Sequence, residues 1–350
     1  MSDAETRSSN LCVEPGCTFD TDGVCLEGFV AGKGCPYKSQ QTEGDPPESA
    51  TEPNALSDGW ILLPDGYELS LDSTADITRA SEAKVVVVAG ESEAGKTTLI
   101  TCIFEHFSVG AYGGQQFAWS DTVLAFERAC YPSRISSEGE EAETERTKRL
   151  IPRFFHLQVR SEAGKLTDLL VTDMSGEVYR RVVDNQENAT SLGRFIRRAD
   201  FFVLLLDGKR LASKELRQDG FRRGLLLLEA LLQAQVLSKM CPVRVLIAKY
   251  DLLVPEEANE NTIKFIEYVE AEYKRFGAKH FSDFTVSRIS SRPKKNSSLD
   301  YGFGVDSLFS EWVTTDRPEV NVDFLADVKE IANERESIKY LWRQLRQQEQ

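Results

Sequence analysis

Between residues 83 and 316, short apolar runs rich in valine, leucine and phenylalanine alternate with longer segments of helical period. Continuous apolar runs of strand length, bounded by turn residues, read as strands covered on both faces. Apolar positions three and four apart read as one face of a helix. The pattern predicts strands at Lys84–Val88, Arg153–Val159, Asp168–Thr172, Phe201–Leu206, Val243–Ala248 and Phe284–Ile289. Helices are predicted at Lys96–Phe107, Leu211–Leu237, Ile263–Phe276 and Val305–Thr315. Such alternation implies an α/β fold with a doubly wound, mostly parallel six-stranded sheet. Ser161–Lys165 reads as a hairpin connection, so the second strand is expected to run antiparallel to the rest.

The pattern changes on either side of this domain. Residues 59–82 contain Trp60–Asp72 with Pro64-Asp65-Gly66 between two apolar stretches, read as a lead-in β-hairpin. Residues 38–58 are rich in Pro, Glu, Ser and Thr, with almost nothing to bury, and read as a disordered linker. Residues 1–37 are glycine-rich and hold Cys12, Cys17, Cys25 and Cys35. A stretch this poor in aliphatic side chains needs another staple. A four-thiolate zinc site is the first candidate, with a reduced unstructured segment, an iron–sulfur cluster or disulfides as alternatives. The spacing lacks the close C-x2-C pair of many zinc sites. After Pro318, Phe324, Leu325, Val328, Ile331, Ile338, Leu341 and Leu345 follow a helical spacing. Residues 317–350 are therefore expected to form a C-terminal helix, docked on its own domain or reserved for a partner.

Composition narrows the functional classes. Net charge is −14, which supplies no basic field for nucleic acid. The longest apolar stretch, Leu225–Leu237, is broken by Glu229, Gln233 and Gln235 and is too short to span a bilayer. The N-terminal residues show no apolar signal region, so a cytoplasmic protein is expected, with cysteines reduced or metal-bound. His106, His156 and His280 have no metal-ligand spacing, and Cys102, Cys130 and Cys241 read as packing residues.

The candidate chemistry begins where the first strand ends. Gly90-Glu91-Ser92-Glu93-Ala94-Gly95-Lys96-Thr97 matches G-x-x-x-x-G-K-[ST], between a strand and a helix that continues through Thr98. Glycines let backbone N–H groups turn inward on a phosphate, Lys96 adds a charge at the β- and γ-phosphates, and the Thr97 hydroxyl suits Mg²⁺. A nucleoside triphosphate is the expected ligand.

Three further motifs follow in the order GTPases use. Asp173-Met174-Ser175-Gly176 gives D-x-x-G, with Asp173 holding Mg²⁺ through its water shell and the Gly176 N–H sensing the γ-phosphate. Ala248-Lys249-Tyr250-Asp251 stands in the place of [NT]-K-x-D. A carboxylate at Asp251 can accept both the N1–H and the N2 amino protons of guanine, whereas adenine would leave it unpaired. The Lys249 stem can lie along the base. Ile289-Ser290-Ser291-Arg292 occupies the position of an S-A-K-like loop, whose backbone N–H meets guanine O6.

Over about 83–316 the chain resembles a P-loop GTPase of the TRAFAC/Ras-like class. Phe117-Ala118-Trp119-Ser120, Leu124–Arg128 and Asp173–Glu177 also resemble the bacterial double-GTPase group, which is associated with conflict and defence gene clusters. One phosphate loop is present, so a single GTPase domain is expected. The resemblance implies GTP/GDP and Mg²⁺ as cofactors. It also implies a further Mg²⁺-contacting threonine shortly before the second strand, Thr147 first and Thr144 second. Arg146, Arg149 or Arg153 could serve as an arginine finger in cis, or merely balance the acidic run Glu138–Glu145.

The chain departs from the family pattern at three places. Ala248 replaces the Asn or Thr that ties base loop to phosphate loop, which is expected to weaken nucleotide affinity or loosen the base site without removing the Asp251 discriminator. Glu177 stands where a water-orienting glutamine is usual, and its charge opposes that developing on the γ-phosphoryl group. About 45 residues separate the first helix from the second strand, far more than a minimal switch I. Within them, a helix capped by Ser120 is predicted.

The leading expectation is a GTP- and Mg²⁺-dependent molecular switch that hydrolyses GTP slowly and signals to effector or regulatory proteins. The face of Arg217, Arg222 and Arg223 is either solvated or a docking surface. A non-hydrolysing nucleotide-binding scaffold is the alternative, followed by a P-loop ATPase or kinase.

Overall fold

A computed structural model describes residues 64–131, 151–185, 188–189, 192–255 and 257–315. Residues 314–350 separate as a unit of their own, of which only 314 and 315 are described. The cysteine-rich segment, the linker and the C-terminal helix therefore lie outside the described residues, as do Thr144, Arg146, Thr147 and Arg149.

The sheet is built on β1 (Lys84–Gly90), which is buried at every position. Val85, Val87 and Ala89 enter one apolar layer, and Val86 and Val88 the other. This two-sided burial explains why the strand reads as an unbroken valine run rather than an alternation. The remaining strands are β2 (Gln115–Trp119), β3 (Arg153–Ser161), β4 (Leu166–Asp173), β5 (Phe201–Asp207), β6 (Val243–Ala248) and β7 (Phe284–Arg288). Their order across the sheet is β2-β3-β4-β1-β5-β6-β7. The pairs β4–β1–β5–β6–β7 are parallel, and β3 is antiparallel to both its neighbours. The hairpin at Ser161–Lys165 closes through Ser161 N–H to Lys165 O at 2.9 Å.

Helices cover both faces. One apolar layer takes side chains from α2 (Lys96–Val109), α3 (Val123–Cys130) and α9 (Val305–Thr314). The other takes them from α4 (Gly176–Asp184), the short α5 (Gly193–Ile196), α6 (Gly208–Ala212), α7 (Arg217–Gln233) and α8 (Glu260–His280).

Three expectations need correction or division. The sheet has seven strands, not six, because β2 adds an edge beyond β3. It follows a turn at Gly113 and Gly114, both with positive φ, and leaves Phe117 and Trp119 exposed. So short an edge strand, bulged at Phe117/Trp119, carries neither an apolar run nor a regular alternation. Ser120 does not cap the following helix: its hydroxyl donates to His156 O at 2.6 Å and accepts from Thr122 N at 3.0 Å, and α3 starts at Val123. The single helix expected over Leu211–Leu237 is divided into α6 and α7 and ends at Gln233, before Gln235 turns to positive φ. Within 64–82 there is one bridge, Leu69 to Phe154, and a helix, α1 (Thr74–Ala80). The first arm of the expected lead-in hairpin lies outside the described residues.

Candidate functional site

Because β1, β4, β5, β6 and β7 run parallel, the loops leaving their C-terminal ends gather on one edge of the sheet. Open α/β sheets bind ligands in the crevice at that edge. The phosphate loop leaves β1, D-x-x-G leaves β4, Asp207-Gly208 leaves β5, Lys249–Asp251 leaves β6 and Ser290–Arg292 leaves β7. The topology thus brings together motifs spread over about two hundred residues.

At the phosphate end the chain curls through positive φ at Gly90, Glu93 and Gly95 before α2 begins at Lys96. Lys96 is buried, and its Nζ donates to Gly90 O at 3.0 Å and Glu91 O at 2.8 Å. Burial lowers its pKa to about 8, with Asp173 and Glu91 partly opposing the shift. Ala94 is buried in the apolar layer, Glu93 is exposed, and Thr98 continues the first turn of α2. The Thr97 hydroxyl donates to Asp173 Oδ1 at 3.0 Å. A hydroxyl and a carboxylate facing one another present the oxygen donors a hard divalent cation takes, so the pair fits Mg²⁺.

Gly176 shows how tightly the second motif is fitted to the first. A Cβ at this position would lie 2.0 Å from Ser92 N and 2.3 Å from the Glu91 carbonyl carbon. Only glycine lets the D-x-x-G backbone meet the phosphate loop so closely. Ser175 caps α4 by accepting from Glu177 N at 3.3 Å, and the Tyr179 hydroxyl donates to Val88 O at 3.2 Å. Helix α4 is therefore anchored to the strand that feeds the phosphate loop.

At the base end, Asp251 is 4% exposed and held from two sides. The Ser290 hydroxyl donates to its Oδ1 at 2.6 Å, and Lys294 N–H donates to its Oδ2 at 3.3 Å. Lys249 adopts positive φ, and its ammonium meets Asp207 Oδ1 at 3.1 Å. Gly208 makes that approach possible, since a Cβ there would come within 2.3 Å of Ala248 O. Ser291 O accepts from the Cys102 thiol at 3.3 Å and from Gly302 N–H at 3.2 Å. Glu105 of α2 receives both the Arg292 guanidinium and the Tyr301 hydroxyl.

The Double-GTPase 2 family model matches residues 84–313. The chain belongs to the Double-GTPase 2 family. It is thus a P-loop GTPase with a GTP-binding, GTPase-type function. No curated protein matches it. Among solved structures it is similar to a bacterial selenocysteine-specific elongation factor, EF-Sec, at 12% identity and TM-score 0.29, over 59% of this chain and 25% of that one. The signal recognition particle receptor SRb-GTP/SRX complex from Chaetomium thermophilum matches at 13% identity and TM-score 0.35, over 62% of this chain and 95% of that one. A GTP-binding protein from the archaeon Sulfolobus solfataricus, in complex with GDP, matches at 12% identity and TM-score 0.32, over 63% of this chain and 50% of that one. The chain thus spans a quarter of the first structure and half of the third.

The structure gathers Gly90–Thr98, Asp173, Gly176, Lys249, Asp251, Ser290 and Ser291 of this Double-GTPase 2 member along one edge. Glu177 is exposed on the first turn of α4. Arg153 opens β3, opposite Asp173 in the register. Sequence reasoning missed a second set of contacts behind the phosphate loop. Glu91 turns away from its motif to pair with Arg210 at 2.7 Å and Arg223 at 3.4 Å, beside a narrow cleft between α4 and α7. Burial nonetheless raises the Glu91 pKa, outweighing the two guanidinium groups. Arg223 is therefore not part of a simply solvated face: it also meets Asp219 at 2.8 Å. Among the described residues, no group of three or more His, Cys, Asp or Glu side chains is placed to hold a metal ion, and no helix is long and apolar enough to cross a membrane.

Proposed function

We propose that this protein is a cytoplasmic GTP- and Mg²⁺-dependent molecular switch, hydrolysing GTP slowly to GDP and phosphate and signalling to partner proteins of a bacterial conflict or defence system. The observation that carries the reading is the pairing of a buried Lys96 with a buried Asp251 on one sheet edge. The first supplies charge for phosphates, and the second supplies acceptors that guanine satisfies and adenine does not.

In this reading the backbone N–H groups of Gly90–Lys96 and the Lys96 ammonium bind the β- and γ-phosphates. Asp251 accepts N1–H and the 2-amino group, the Ser291 N–H faces O6, and the Lys249 stem lies along the base. Thr97 and Asp173 would hold Mg²⁺, joined by Thr147, and the ion supplies neutralisation of phosphate charge. Gly176 senses the γ-phosphate; its close fit to Ser92 supports a mechanical link between phosphate loop and switch. Glu177 orients the attacking water while its charge raises the barrier, so turnover is slow unless Arg146 or a partner offsets it. The exposed position of Glu177 also supports the second reading, a non-hydrolysing scaffold.

Fluorescent GDP and ATP analogues titrated against the full chain test the base: tighter ATP binding would sink the guanine reading in favour of an ATPase or kinase. Single-turnover phosphate release from the native chain and from Glu177→Gln tests hydrolysis. A several-fold rise in the variant is expected, and no release from either would favour the scaffold. The zinc site at Cys12, Cys17, Cys25 and Cys35 is tested by elemental analysis, with one equivalent expected.

A further inference from the structure

We infer that Cys102 and Glu105 are positioning residues for the base loop, making from helix α2 the tie between phosphate and base ends that Ala248 cannot make. The inference rests on the guanine reading above. Ala248 has no polar side-chain atom and lies, with Ala94 of the phosphate loop, in the same buried apolar layer. Any link between the two ends must therefore come from elsewhere.

Helix α2 is placed to supply it. Its first residues, Lys96 and Thr97, belong to the phosphate end, and its second and third turns run beneath Ser291 and Arg292. Cys102, with 0% exposure, donates its thiol hydrogen to Ser291 O at 3.3 Å, fixing the peptide plane after the residue whose N–H faces the base. Burial pushes that thiol up to about 12, so it remains a neutral donor at physiological pH. One residue further along the loop, Arg292 reaches Glu105 and lies 5.8 Å over the Tyr301 ring. Tyr301 donates its hydroxyl to the same carboxylate, so Glu105 gathers both arms of the segment from Ser291 to Tyr301. Arg292 and Glu105 side chains are only 10% and 15% exposed, where charge-assisted hydrogen bonds are stronger than at an open surface. A rigid helix that grips phosphate at one end and the base loop further along couples the two binding events.

The test is titration of the full chain with fluorescent GDP and ADP, with nucleotide-free melting temperature as a folding control. Glu105→Ala and Arg292→Ala should each weaken GDP binding by about tenfold. ADP binding, which makes no contact with the loop N–H, should change by less than about twofold, so the GDP/ADP ratio falls. The double variant should lose little more than either single one, because both remove the same contact. Glu105→Gln keeps an acceptor oxygen and should recover part of the loss. Tyr301→Phe keeps the ring and should cost about twofold, which preserves the test if an alanine variant does not fold. An unchanged GDP/ADP ratio in the folded variants would overturn the positioning role. Equal binding of GDP and ADP by the unmodified chain would overturn the guanine reading and the positioning role with it.

Discussion

The two ends of the site are built on different plans. The phosphate end is local: eight consecutive residues run from the last residue of β1 into the first turn of α2, with backbone groups as the proposed binding atoms. The base end is assembled from loops after β6 and β7, braced by Asp207 of β5 and by Cys102 and Glu105 of α2. Where the backbone binds, residue spacing dictates geometry, and a departure would be hard to offset. Where side chains converge through tertiary contacts, a tie lost at one position can be remade at another. Ala248 illustrates this. Its motif alone predicts a loosened base site, while the fold supplies a brace from a helix about 150 residues earlier.

The sharpest way to break the comparison is to disable each end separately. Lys96→Ala should reduce GTP affinity by at least about a hundredfold, measured with a fluorescent analogue, because a charge-assisted contact to two phosphates is lost. The GTP/ATP preference should persist. Asp251→Asn should do the reverse, lowering GDP affinity by about thirtyfold while tightening xanthosine diphosphate, whose O2 accepts from the new amide. If either variant erased both affinity and base preference, the ends would not be separable as described.

The phosphate end can also be probed without nucleotide. Lys96 titrates near 8 in the folded chain because burial disfavours its charge, against 10.5 in the unfolded chain. Between these values the unfolded chain binds more protons, so stability rises with pH across the window. Relative to Lys96→Met, the native chain should gain roughly 3 kcal/mol from pH 8 to 10.5, read from urea midpoints. A flat difference would mean that Lys96 is not desolvated in the free protein.

The same contrast explains what the sequence could reveal. Strands β1 and β5 lie near their expected bounds because each is buried on both faces and reads as an unbroken apolar run. Strand β2 was hidden because an exposed, bulged edge strand has no such run. Gly90–Thr97, Asp173, Gly176 and Asp251 were legible as motifs whose strand context places them on one edge. Glu105 and Cys102 were not, since their partners stand 187 to 196 residues away and no local pattern records such a contact. The contacts of Arg210 and Arg223 with Glu91 escaped notice for a related reason. Basic positions on a helix read as solvated until the fold sets Glu91 against them.

The smallest effect is the most discriminating. Ala248 is 4% exposed within the layer that also holds Ala94 and Ile289, and its carbonyl sits against Gly208. Restoring a hydroxyl with Ala248→Thr adds two heavy atoms to a closed interior. If the tie has moved to α2, the new side chain has no task there, and overpacking should lower stability by about 1 kcal/mol. GDP affinity should then stay within about twofold of the native value, since the base loop is already held. If instead the variant binds GDP several-fold more tightly with its urea midpoint unchanged, the tie is absent rather than relocated. In that case the base end is looser than the phosphate end for want of one side chain, and the contacts at Cys102 and Glu105 only pack the helix.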